Sequence, residues 1–166
     1  IFRPIKSMLG VRTNTVESSF EVTKKPSLLD FKYDGLRIFI HNKKGEVKLF
    51  SRNLDNITKQ FPEVIDFIKT NFSNESFVID SECCGYDFNK MEFLPFQMLS
   101  RRILTKDVEG VSHIQVIVKT FDILHLNGKT LIDEPYRMRR DILENLYLNR
   151  EIKQKLNFDV NKINQL

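Results

Sequence analysis

The chain has 166 residues, of which 41% are hydrophobic and 29% charged. This is the composition of a soluble globular protein with enough apolar material for one good core, so one domain or one large piece of one is expected. No apolar run approaches the roughly 18 residues that a membrane span needs, and no signal peptide is visible after the non-Met first residue, Ile1. A net charge of +4 and a pI near 9.0 lean towards an anionic partner without demanding one.

Residues 1–22 carry Pro4, Gly10 and a polar run over 13–17, and read as a leading segment followed by a short helix. Residues 29–37, Leu-Asp-Phe-Lys-Tyr-Asp-Gly-Leu-Arg, then read as a short apolar strand with Lys32 turned inward, a tight Asp34-Gly35 turn and a second strand starting Ile38-Phe39-Ile40. A lysine in such a run is either an edge-strand residue reaching back to water or a functional amine. Gly45 marks a further hairpin to Val47-Lys48-Leu49-Phe50, which predicts a three-strand meander led by the lysine strand. Phe61, Val64, Ile65 and Ile68 stand at helical spacing and predict a helix over 58–70.

Residues 77–82, Phe-Val-Ile-Asp-Ser-Glu, predict a strand whose alternation puts Asp80 and Glu82 on one face with Val78. Two acids there need either solvent or partners. Adjacent Cys83 and Cys84 point to opposite faces of a strand, so they read as free thiols in a reducing compartment; no other Cys or His lies at metal-ligand spacing. A short helix follows Pro95 and ends in Arg101-Arg102, which reads as a solvated basic surface or a contact to a DNA backbone. The β-branched run over 114–126 is the strongest strand signal, closed by the Asn127-Gly128 turn. Pro135 suits the start of a helix with Ile142, Leu143, Leu146 and Tyr147 as its apolar side, and residues 151–166 read as a polar loop and the beginning of another helix.

Several of these segments, in order, resemble one family. Lys32-Tyr33-Asp34-Gly35-Leu36-Arg37 resembles the KxDGxR nucleotide-attachment motif of the covalent nucleotidyltransferases, which are ATP-dependent DNA ligases, RNA ligases and mRNA capping enzymes. Pro4-Ile5-Lys6-Ser7-Met8-Leu9 is similar to the PMLA-type segment that leads into the ligases' adenylation domain. Phe50-Ser51-Arg52-Asn53 with Thr58 is similar to their SRNxxxxT segment, and Ile79-Asp80-Ser81-Glu82 to their LDxE segment. Leu94-Pro95-Phe96-Gln97-Met98-Leu99-Ser100 resembles LPFQVLS, and Phe121-Asp122-Ile123-Leu124-His125-Leu126-Asn127-Gly128, with Arg139-Arg140 downstream, resembles FDLLYLNG and RR. The last two are peculiar to ligases of the eukaryotic and archaeal DNA ligase I type.

The resemblance implies an α+β fold of antiparallel sheets with flanking helices, the ATP-grasp-like DNA ligase and mRNA capping nucleotidyltransferase fold, incomplete at its C-terminus. It implies that residues 1–166 are a partial adenylation domain, because the EGLxxK and KxK segments, the N-terminal DNA-binding domain and the C-terminal OB-fold have no counterpart here. It makes Lys32 the nucleophile that attacks the α-phosphorus of ATP and holds AMP as a phosphoramide. Arg37 and Arg52 would contact the nucleotide or the 5′-phosphate of the nick, Glu82 a ribose hydroxyl, and Phe121 the adenine ring, although Phe121 also reads as a core residue. Asp30 takes a place near the adenine where the family usually has Glu, one methylene longer. A free lysine with a pKa near 10.4 is neutral only about once in 2,500 molecules at pH 7. The implied activation therefore comes from partial burial and from Arg37, Arg52 and a Mg²⁺ ion on the phosphates, with no metal ligand assigned.

Implied partners are ATP, nicked duplex DNA in replication, repair or recombination, and the other domains of the same ligase chain, in a monomer with no membrane contact. The compartment is nuclear in a eukaryote and cytoplasmic otherwise. The isolated piece should seal no nicks and adenylate itself poorly. Rival readings are an RNA ligase, a capping guanylyltransferase that uses GTP, or an inactive nucleotide- or DNA-binding remnant.

Overall fold

The computed structural model describes residues 1–24, 28–104, 114–148 and 159–160. Its centre is a seven-stranded sheet in the order β2-β1-β3-β5-β6, with β4 paired to β3 and β7 to β5. The strands are β1 (Leu36–Lys43), β2 (Glu46–Ser51), β3 (Ser76–Asp87), β4 (Glu92–Phe93), β5 (Val116–Leu126), β6 (Lys129–Thr130) and β7 (Asp159–Val160). All neighbours are antiparallel except β5 and β7. The helices are α1 (Val16–Thr23), α2 (Pro62–Phe72), α3 (Phe96–Leu104) and α4 (Tyr136–Leu148). No described helix is long and apolar enough to cross a membrane.

One face of the sheet is the core. Ile38, Ile40, Leu49, Phe77, Ile79, Val118 and Ile123 meet Val64, Ile68 and Phe72 of α2 and Leu143 and Tyr147 of α4. The Phe72 ring joins the layers, edge-on to Phe77 and to Tyr147 with centroids 5.6 Å away in each case. The β1–β2 turn is the expected one: Lys44 and Gly45 both have positive φ, 50° and 87°, as a two-residue hairpin with right-handed twist requires. Buried Asn42 fastens this end to α2, donating to the carbonyls of Phe72 (2.7 Å) and Glu75 (2.9 Å).

Three expectations shift. Residues 29–35 form no strand: Leu29 and Phe31 are 61% and 74% exposed, no strand among the described residues pairs with them, and β1 starts only at Leu36. The meander led by the lysine strand is thus a β1–β2 hairpin with β3 on its other edge. Gly35 is not a hairpin turn residue either. A Cβ there would lie 2.5 Å from the Cys83 carbonyl oxygen and 2.9 Å from Cys84 Sγ, so its lack of a side chain lets the lysine segment lie against β3. The helix expected from residue 58 begins at Pro62, which has no N–H to leave unpaired, while Thr58–Gln60 is a single 3-10 turn. The expectation over 151–166 lies outside the described residues apart from β7.

Candidate active site

Alternation in β1 and β3 sends Arg37, Asp80 and Glu82 to the face opposite the core, and register sets Arg37 beside Glu82 and Phe39 beside Asp80. At one end this face is covered by the first residues of the chain, where the Phe2 N–H donates to His41 Nδ1 at 2.9 Å and the Lys48 amine lies 4.4 Å from the centre of the Phe2 ring. At the other end it opens into a cleft of about 570 Å³ lined by Asp30, Lys32, Arg37, Arg52, Glu82 and Phe121, together with Met8, Leu9, Tyr33 and Phe96. All six residues singled out from the sequence therefore line one cavity, which has the size of a small-molecule site.

Each is held differently. Arg37 makes a two-pronged pair with Asp80, Nε to Oδ1 at 3.0 Å and Nη2 to Oδ2 at 2.6 Å, and its guanidinium sits 5.7 Å from the Phe39 ring centre and 5.5 Å from that of Phe121. The hydrogen bond to Asp80 raises the Arg37 pKa further, keeping the guanidinium charged. Asp80 is 3% exposed. Burial pushes its carboxyl up, and the Arg37 bond pulls against that. Burial likewise pushes Glu82 up to about 6, opposed by the charges of Lys32 and Arg37 and by the Gly35 backbone N–H, which donates to it.

Arg52 is exposed on a loop that ties itself together. Ser51 Oγ donates to Asp55 Oδ2 at 3.2 Å and accepts from the N–H groups of Asn53 and Asp55, also at 3.2 Å. Thr58 Oγ1 accepts the Leu49 N–H at 3.0 Å and donates to Asn56 Oδ1 at 2.6 Å. Ser51 and Thr58 thus build the loop, and Arg52 is the residue it presents. Lys32 is exposed on the extended segment before β1, not turned inward from a strand. Of the two activating influences expected for it, cations line the same cleft and burial by the described residues is missing. Asp30 is exposed and its Oδ1 accepts the Phe31 N–H at 2.8 Å.

Comparison with known proteins gives the family of the chain. Residues 7–166 match the family model described as ATP dependent DNA ligase domain. The chain belongs to the ATP-dependent DNA ligase family. It is 34% identical over 160 residues to a DNA ligase of Nanoarchaeum equitans, covering 95% of this chain and 28% of that protein. It is 39% identical over 149 residues to DNA ligase 1 of Methanosarcina acetivorans, covering 86% and 26%. The chain therefore spans about a quarter of the length of the curated relatives it matches. The ligase domain of LigD from M. tuberculosis shares the fold, with a TM-score of 0.63 at 23% identity over 82% of this chain and 40% of that one.

Within this family's segments the structure separates residues that face the cleft from residues that build it. Asp34, in the lysine motif, accepts the Phe96 N–H at the start of α3 at 3.4 Å, which ties that motif to the LPFQ-like segment. Arg102 is neither a solvated surface nor a nucleic-acid contact: it is 1% exposed, donates to the carbonyls of Gln60 (2.7 Å) and Ile114 (2.8 Å), and pairs with Glu63 at 2.6 Å. Arg101 is exposed. Asp80 escaped the sequence-based list of site residues. Its signal was present, since an acid on the same strand face as Glu82 needs a cation and Arg37 was the nearest candidate. Cys83 and Cys84 are buried free thiols, and burial pushes both well into the protonated range.

Proposed function

We propose that this chain is the nucleotide-charging part of an ATP-dependent DNA ligase and that the cleft holds ATP with its α-phosphorus facing Lys32. One observation carries the reading: Lys32, Arg37, Arg52, Glu82, Phe121 and Asp30 line one cavity in a chain of this family. The Lys32 amine attacks the α-phosphorus, a phosphoramide N–P bond forms, the bond to the β-phosphate oxygen breaks, and pyrophosphate leaves. Arg37 and Arg52 supply positive charge where the phosphate oxygens gain negative charge, and Arg37 does so from a fixed direction because Asp80 grips it. Glu82 accepts from a ribose hydroxyl, Phe121 stacks on the adenine, and Asp30 lies at the base.

AMP then passes to the 5′-phosphate of a nick, and the 3′-hydroxyl displaces it to seal the strand. Among the described residues no three or more His, Cys, Asp or Glu converge as a metal cage. A Mg²⁺ ion would therefore rest mainly on the nucleotide's phosphate oxygens and would offset phosphate charge. The full-length protein, incubated with labelled ATP or GTP and Mg²⁺, should take label from ATP and discharge it onto nicked duplex DNA. Label from GTP, or discharge onto RNA alone, would contradict the reading.

A further inference from the structure

We propose that the first two turns of α4 clamp the bulge in β5 that carries Phe121, so that Tyr136, Arg139 and Arg140 are positioning residues for the ring on which the adenine rests. The inference rests on the nucleotide site proposed above. In the β3–β5 ladder Ser81 faces Thr120 and Asp80 faces Asp122, so Phe121 has no partner on β3. An extra residue of this kind bends the strand and re-aims a side chain. Here it puts two consecutive residues on the cleft side: Phe121 lines the cavity, and the Asp122 carboxylate acts on Arg37 and Asp80. Simple alternation would have placed them on opposite faces.

At the bulge, α4 captures the Phe121 carbonyl. Tyr136 Oη donates to it at 2.8 Å and Arg140 Nη1 at 2.9 Å, with Arg140 also reaching the Thr120 carbonyl at 3.4 Å. Arg139 grips the next residue with two prongs, Nε to Asp122 Oδ1 at 2.7 Å and Nη2 to Oδ2 at 3.0 Å. Its own guanidinium is held by the Glu134 carbonyl at 2.6 Å and lies 5.2 Å from the centre of the Tyr136 ring. Burial pushes the Tyr136 phenol up to about 12, so it stays a donor at physiological pH.

Docking of α4 does not need this set. Leu143 and Tyr147, further along the helix, already bury their side chains in the core. The polar contacts add a fixed position for one backbone segment, and pre-set geometry strengthens binding by sparing the cost of ordering. The geometry therefore makes Phe121 a platform whose height and tilt are set from the helix.

The test uses the full-length protein and Tyr136→Phe, which keeps the ring and removes one donor. AMP transfer from ATP to the enzyme is measured together with inhibition by tripolyphosphate, which carries the phosphates without a base. The KM for ATP should rise about three- to tenfold, the worth of one hydrogen bond, while kcat stays within about twofold and tripolyphosphate inhibition is unchanged. Arg139→Gln, which frees Asp122, should act in the same direction. An unchanged KM, or equal weakening of ATP and tripolyphosphate, overturns the clamp alone. A wild-type protein that takes no label from ATP overturns the proposed function and the clamp with it.

Discussion

The two faces of the sheet solve opposite problems. The core face is apolar and alternates cleanly, from Ile38 and Ile40 in β1 to Phe77 and Ile79 in β3, and its stability comes from area removed from water. The cleft face buries charge: Asp80 is 3% exposed and is tolerable only because Arg37 meets it with two hydrogen bonds. The core face holds the fold together, and the cleft face spends part of that stability on keeping charged groups around an open cavity.

The sharpest way to break this contrast is to damage one face and read both stability and nucleotide binding. Phe72→Ala removes the ring that joins α2, α4 and β3 at a site with 0% exposure. It should cost about 3–5 kcal/mol of stability, measured by denaturant unfolding, with ATP affinity of the folded fraction little changed. Asp80→Ala leaves the Arg37 guanidinium without its acceptor. Because Arg37 keeps 30% of its side chain exposed, the loss should be smaller, about 2 kcal/mol, and ATP affinity should fall with it. Equal effects of the two substitutions on affinity would erase the distinction between the faces.

The smallest expected effect is a pH dependence. Glu82 rises from its ordinary value of 4.5 to about 6 in the fold, so the native state holds this proton more tightly than the unfolded chain. Its contribution to stability is complete below about pH 4.5 and is lost as pH climbs through 6. Melting curves of Glu82→Gln against wild type between pH 4.5 and 7 should show the wild type losing at most about 1 kcal/mol more over that window, since solvent screens a half-exposed carboxylate.

The same division explains what was legible in the sequence. The core face was readable because period-two alternation and helical spacing act locally: the 44–45 hairpin, β3, β5 and the apolar side of α4 all follow from neighbours in the chain. The residues lining the cleft were readable through the motifs they occupy. What could not be read depends on partners far away in sequence. The lysine segment looks like a strand, yet none of the described strands pairs with it, Gly35 is required by the carbonyl of Cys83, and Arg102 looks like a surface cation until Gln60, Glu63 and Ile114 surround it. The bulge at Phe121 hides in the strand-forming run over 114–126, because a slip in register leaves no mark on composition.

The central claim is that the exposed amine of Lys32 is the atom that takes AMP. Full-length protein incubated with ATP and Mg²⁺, then digested and mapped by mass spectrometry, should yield the peptide containing Lys32 with AMP attached through an acid-labile bond, and Lys32→Ala should abolish the adduct. AMP on any other residue, or undiminished labelling of the Lys32→Ala protein, would contradict it.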